Sequence, residues 1–171
     1  MSAHESEGEL MGTAAAAATN SSRALLAIFW GGLACGVFDI TQAFVAWGIQ
    51  SGIRPVQILQ NIASGLLGPK SFKGGMASAS LGAVLHFFIA FSAAAVFYLA
   101  SRKLSFLVQH PVISGLIYGE LVWVFMNFVV VPLSAIHRTP AFTPAQILTG
   151  PIGHMFLVGL PIALAVRRYS S

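Results

Sequence analysis

Polar and apolar positions alternate along this chain on the scale of whole segments. Four runs of about twenty or more apolar residues, at about 24–49, 75–100, 112–133 and 145–166, are separated by short polar stretches. At 1.5 Å per residue such a run crosses a hydrocarbon core of about 30 Å. Helix is the form open to an isolated lipid-embedded segment, because a lone strand leaves its backbone N–H and C=O groups unpaired. The pattern therefore predicts an all-α membrane protein, a bundle of four transmembrane helices. Between the first two runs, residues 55–68 carry Ile58, Leu59, Ile62 and Leu66 at helical spacing on one face and Gln57, Gln60, Asn61 and Ser64 on the other. This predicts a short amphipathic helix lying along the interface, with Pro55 in its first turn. Residues 1–22, with Glu5, Glu7, Glu9 and the alanine run 14–18, lack the basic start of a secretory signal and are expected to form a disordered tail.

Composition narrows the picture. Of 171 residues, 56% are hydrophobic and 8% charged, against about 25% charged in a soluble domain. The formal charge of +4 arises from basic residues placed singly or in pairs at the ends of the runs, a distribution suited to lipid headgroups rather than to a nucleic-acid stripe. Nucleic acid is excluded as a partner on that ground, and the lipid bilayer is the implied one. Arg23, Arg102, Lys103, Arg167 and Arg168 fall on the side of the N-terminus, whereas Arg54, Lys70, Lys73 and Arg138 fall opposite. The pairs that abut span ends favour both termini in the cytoplasm. Cys35 is the single cysteine, so an intramolecular disulfide is ruled out. A faint likeness to a lipoprotein cleavage site at Gly32-Leu-Ala-Cys35 is set against a segment that stays apolar to Ile49.

Each predicted span carries one ionisable residue near its middle: Asp39, His86, Glu120 and His154. A lone charge at that depth costs at least about 2.5–3.5 kcal/mol, so these groups are expected to face one another in an intramembrane polar cluster. On the first helix Gly32, Gly36, Asp39, Ala43 and Ala46 share a face; on the second, Gly75, Ala79, Gly82, His86, Ala90 and Ala93 do so. Asn127, seven residues after Glu120, is expected to extend the polar strip of the third helix. Gly32, Gly36, Gly82, Gly115 and Gly119 are the expected close-packing positions, and the G-x-x-x-G spacing at 32/36 and 115/119 invites association with a second copy or a membrane partner. Pro151 and Pro161 flank His154 and free backbone carbonyls there.

Three chemistries are compatible with such a cluster. Carboxylates beside imidazoles hold and pass protons, which suits handling of protons or small solutes. His86 and His154 are alternatively candidates to ligate a haem iron or, with the carboxylates, a divalent metal. The plainest reading pairs each acid with a histidine to fix helix register in a structural subunit without cofactor. No P-loop, paired-cysteine motif or H-E-x-x-H is present, and no catalytic residue is assigned.

The halves share features in one order. Gly32-Leu-Ala-Cys-Gly36 then Asp39 parallels Gly115-Leu-Ile-Tyr-Gly119 then Glu120; Pro-x-Gln-Ile-Leu stands at 55–59 and 144–148; His86-Phe-Phe-Ile parallels His154-Met-Phe-Leu. A two-helix unit present twice accounts for this, as does the small residue alphabet of membrane segments.

Residues Ile58-Leu-Gln-Asn-Ile-Ala-Ser-Gly-Leu-Leu-Gly68, Leu81-Gly-Ala-Val-Leu-His-Phe-Phe-Ile-Ala90 and Met126-Asn-Phe-Val-Val-Val-Pro-Leu-Ser134 resemble a group of small uncharacterised bacterial inner-membrane proteins with four transmembrane helices. The resemblance covers about residues 30–168 and implies a bacterial plasma-membrane location. Glu120 is the least typical of the four ionisable residues for that group.

Overall fold

The computed structural model describes residues 3–139 and 142–170, with side chains described from Asn20 onward. It is an all-α bundle whose helices are α1 (Ala3–Ser51), α2 (Pro55–Leu67), α3 (Gly75–Ser101), α4 (Pro111–Leu133) and α5 (Pro144–Ser170). Four stretches are long and apolar enough to cross a membrane: Asn20–Ser51 of α1, and α3, α4 and α5. A 3-10 turn, Gly68–Lys73, joins α2 to α3, and one short helical turn, Phe106–Gln109, precedes α4.

The tail expected over residues 1–22 departs from the observed backbone, which is helical from Ala3 and runs unbroken into the first span; residues 1 and 2 lie outside the described ones. The five alanines at 14–18 are the strongest helix formers.

Burial is inverted relative to a soluble domain. The interior holds Ala27, Cys35, Ala90, Ala94, Ala163 and Val158, with Phe97 its largest fully buried side chain, while Leu25, Phe29, Val84, Phe88, Leu121 and Phe156 stand outside. In lipid, packing of outer leucines onto one another gains nothing that hydrocarbon tails do not supply, so helices associate through small residues that let backbones approach. Ala27, Phe97 and Val166 belong to one cluster. The start of the first span and the ends of the second and fourth therefore share one end of the bundle, as up-down-up-down connectivity requires.

The glycines show how close that approach is. A Cβ at Gly32 or Gly36 would meet the rings of Phe91 or Phe87 of α3, whereas one at Gly119 would run into the His154 carbonyl of α5 and one at Gly159 into the Gly115 carbonyl of α4. Both G-x-x-x-G motifs are thus buried inside the bundle rather than left as free association surfaces. The order of packing is α3 against α1, α1 against α5, and α5 against α4; Tyr118 of α4 also reaches α3, donating its hydroxyl to the Ala93 carbonyl at 2.7 Å.

Helix α2 packs along the first turns of α3 with a face that draws on both sides of its sequence pattern. Ile58, Gln60, Ala63 and Ser64 are its buried residues, while Leu66 and Leu67 point outward. Gln60 Nε2 donates to the Gly75 carbonyl at 3.0 Å, and a Cβ at Gly82 would strike the backbone of Leu59. Amide and hydroxyl groups that find partners inside are better placed there than facing hydrocarbon, and leucines lose nothing by facing out.

Two widened turns interrupt the last two spans. The π-turns Met126–Val130 and His154–Gly159 each end two residues before a proline, Pro132 and Pro161. A proline ring collides with the carbonyl four residues back; the wider turn moves that carbonyl aside, and the Val131 and Leu160 N–H groups reach back five residues to Met126 and Met155.

Adding one methyl at a glycine contact is expected to cost about 1–3 kcal/mol. Gly119→Ala should therefore lower the melting temperature in detergent by several degrees, whereas Gly48→Ala, whose Cβ meets only the Ile53 carbonyl at 3.9 Å, should leave it within a degree or two of wild type. Equal melting of the two variants would contradict the packing described.

Candidate functional site

The residues singled out by sequence separate into a linked group and two outliers. The group is built around one turn of α1, from Gly36 to Asp39. His154, the first residue of the α5 π-turn, presents Nε2 to Asp39 Oδ1 at 3.9 Å, with about a fifth of the histidine side chain and a quarter of the aspartate exposed. From the other side of α1, His86 of α3 places Nε2 at 2.8 Å from the Gly36 carbonyl oxygen. Three spans thus bring a titratable side chain to the same turn.

The backbone sets the tautomer of each histidine. A carbonyl oxygen only accepts hydrogen bonds, so the ring nitrogen facing it carries hydrogen. For His154 that nitrogen is Nδ1, 3.0 Å from the Gly150 carbonyl, which leaves Nε2 as the basic nitrogen of the neutral ring, aimed at Asp39. For His86 it is Nε2, which leaves Nδ1 basic. His154 is consequently oriented to receive a proton on the atom that faces an acid; His86 is anchored to a carbonyl through the nitrogen that faces α1. At 3.9 Å the Asp39–His154 contact is an ion-pair distance rather than a hydrogen bond, and a single water or an approach of about 1 Å would connect the two.

Gln42, one turn beyond Asp39 on α1, completes the contact with α5. Its Nε2 donates to the Thr149 carbonyl at 3.1 Å, and its amide lies over Gly153, where a Cβ would collide with it. Gln42 is not among the residues expected from the sequence, although it stands three residues after Asp39, on a neighbouring part of the same face.

Glu120 and Asn127 stand apart from this group. One carboxyl oxygen of Glu120, Oε2, is buried and lacks a hydrogen-bond partner. Its neighbour Gly119 supports the His154 backbone, so Glu120 sits on the helix that braces the site without joining the Asp39 pair. Asn127 turns back on its own helix, Nδ2 donating to the Trp123 carbonyl at 2.9 Å where the π-turn begins. It supports a local irregularity of α4 and does not extend a shared polar strip.

Among the described residues no three His, Cys, Asp or Glu side chains gather in a way that would hold a metal ion. The small-residue face of α1 beside His86 is filled by Phe87 and Phe91, which occupy the space a porphyrin between α1 and α3 would need.

The repeated Pro-x-Gln-Ile-Leu has a local cause. In both copies proline occupies the first helical turn and glutamine the third position, where its Oε1 accepts the N–H of the capping residue at 3.0 Å: Gln57 from Arg54, Gln146 from Thr143. It is a helix-start signal that opens a packed connector in one half and a span in the other. The second glycine of each G-x-x-x-G motif, in contrast, lies against the histidine of the following span in both halves, Gly36 on His86 and Gly119 on His154.

Nitrogen-15 spectra of the histidine-labelled protein, at a pH where both rings are neutral, should show opposite tautomers, Nδ1–H for His154 and Nε2–H for His86; the same tautomer at both would contradict the geometry. Comparison of the chain with protein-family models, with curated proteins and with solved structures finds no match.

Proposed function

We propose that this chain is a multi-pass protein of a bacterial plasma membrane, with both termini in the cytoplasm, that handles protons or a small solute through the polar layer at mid-span, Asp39 and His154 being the proton-exchanging pair. The membrane assignment rests on four apolar helices of sufficient length and on an exterior of large apolar side chains. The bacterial location rests on the resemblance carried by residues 58–68, 81–90 and 126–134, and the orientation on the paired basic residues 102–103 and 167–168.

The observation that carries the proton reading is the aim of His154. Its Nδ1–H is tied to Gly150 and its basic nitrogen faces a carboxyl group on another span. One proton shared by this pair has two placements, Asp–COOH beside neutral imidazole and Asp–COO⁻ beside imidazolium. Both keep the pair neutral overall, so a proton can change hands at mid-span without leaving a lone charge in lipid. A proton added to the ionised pair, or removed from the neutral one, creates a net charge, and compensation of that charge couples the pair to a second ion or polar solute. The π-turn under His154 is the flexible part of the arrangement, since widened turns have imperfect backbone pairing and recur at functional sites.

Reconstituted into liposomes with a pH-sensitive dye inside and a potassium–valinomycin potential, the wild-type protein is expected to dissipate an imposed pH step faster than empty vesicles. Asp39→Asn, which keeps the shape and removes the titrating group, should reduce that rate by about tenfold or more, on the scale expected for loss of a positioned proton-transfer group. A wild-type rate equal to that of empty vesicles, or an Asp39→Asn rate equal to wild type, overturns the proposal. If Asp39→Asn instead lowers thermal stability while flux is absent in both proteins, the pair is a helix-register pin.

A further inference from the structure

A second site lies at the end of the bundle remote from the termini and is independent of the polar layer. There the end of α1, the start of α2 and the loop after α4 enclose a cleft of about 340 Å³. Trp47, Ile53 and Phe72 supply apolar walls; Gln57, Asn61 and Arg138 supply polar groups. Arg138 is exposed but tethered. Its Nη2 donates to Asn61 Oδ1 at 3.1 Å, and the loop carrying it is tied down by the Ala135 N–H on the Gly65 carbonyl at 2.9 Å and the His137 N–H on the Ser134 carbonyl at 2.9 Å. His137 takes a left-handed backbone conformation, with φ of 45°. Non-glycine residues rarely adopt it, and here it turns the chain so that Arg138 lies over α2.

Charge around the cleft is of one sign. Arg54 follows the wall residue Ile53, Lys70 and Lys73 bracket Phe72, and Arg138 is itself a lining residue. The acids of this chain are Glu5, Glu7, Glu9, Asp39 and Glu120, and none stands in the segments that form this end. One cation in the lining and three within two residues of lining positions, with no carboxylate in these segments, match an anionic amphiphile. The depth agrees, because Trp47, the end of α1 and the start of α3 stand where a bilayer has its headgroups.

We propose that this cleft binds the headgroup of an anionic phospholipid. The phosphate lies on the Arg138 guanidinium fork, which is suited to two parallel N–H···O bonds, and the glycerol and upper acyl chain lie against Trp47 and Phe72. The Gln57 carboxamide, whose oxygen is taken by the Arg54 N–H, lines the same cleft. A free phosphate monoester shares the anionic chemistry but makes no use of the apolar wall, so the two sources separate experimentally.

Native mass spectrometry of the full chain in detergent tests this, with dioleoyl phosphatidylglycerol, dioleoyl phosphatidylcholine and glycerol 3-phosphate added in turn. Phosphatidylglycerol is expected to remain bound in preference to phosphatidylcholine. Arg138→Gln should weaken that binding about fivefold, the equivalent of one interfacial basic residue, and Trp47→Ala should weaken it as well. The pair Arg102→Gln and Lys103→Gln, at the other end, should leave it unchanged. Should Arg138→Gln fold poorly, the wild type still tests the site: its preference for phosphatidylglycerol should fall as salt rises. Equal retention of the two lipids, a preference untouched by Arg138→Gln in a folded protein, or retention of glycerol 3-phosphate without preference between the lipids would overturn the proposal.

Discussion

Close approach of helix backbones at glycine is the constraint from which the other features follow. Surrounded by hydrocarbon, large apolar side chains gain little by turning inward, so the four spans are joined where Gly32, Gly36, Gly115, Gly119 and Gly159 let one helix seat against a ring or a carbonyl of the next. Such contacts bring main-chain oxygens within reach of side chains on the neighbouring helix. The His86 bond to the Gly36 carbonyl and the Tyr118 bond to the Ala93 carbonyl both follow from this closeness. The polar layer is thus a consequence of how the bundle closes, with Asp39 and His154 at the α1–α5 seam.

Backbone irregularity supplies the second ingredient. Pro161 cannot continue a regular helix, and the π-turn that accommodates it starts at His154. The ring then bonds to Gly150, one turn back on its own helix, and its other nitrogen is left facing α1. His86, on a helix without proline, is engaged through its outer nitrogen instead. Two histidines at one depth have therefore been given opposite tautomers by the main chain around them, and only one of them confronts an acid.

Much of this was legible in the residues themselves. Span positions follow from apolar run length, and the close-packing glycines from their spacing. Asp39 and His154 were expected to take part in the cluster because a lone mid-span charge is costly. Three things were not legible. Which histidine meets Asp39 depends on which helices are neighbours, and periodicity within one helix carries no such information. The separation of polar and apolar positions along α2 does not say which of them α3 covers: Gln60 is buried with its amide bonded to α3, and Ser64 is buried with its hydroxyl bonded to the Asn61 carbonyl of α2 itself. Glu120 and Asn127 have the depth and residue type of cluster members, yet one Glu120 oxygen is buried without a hydrogen-bond partner and Asn127 bonds to the Trp123 carbonyl of its own helix. Gln42 bonds across the same seam, and its partner is a main-chain carbonyl of α5, which no side-chain pattern marks.

The central claim is that Asp39 and His154 interact across the α1–α5 seam, and a double-mutant cycle measures that interaction directly. Unfolding free energies of wild type, Asp39→Ala, His154→Ala and the double variant, determined in bicelles, are predicted to be non-additive, with a coupling of about 0.5–1.5 kcal/mol, in the range of intramembrane polar pairs. Additivity within error would place the two side chains out of contact and contradict the account.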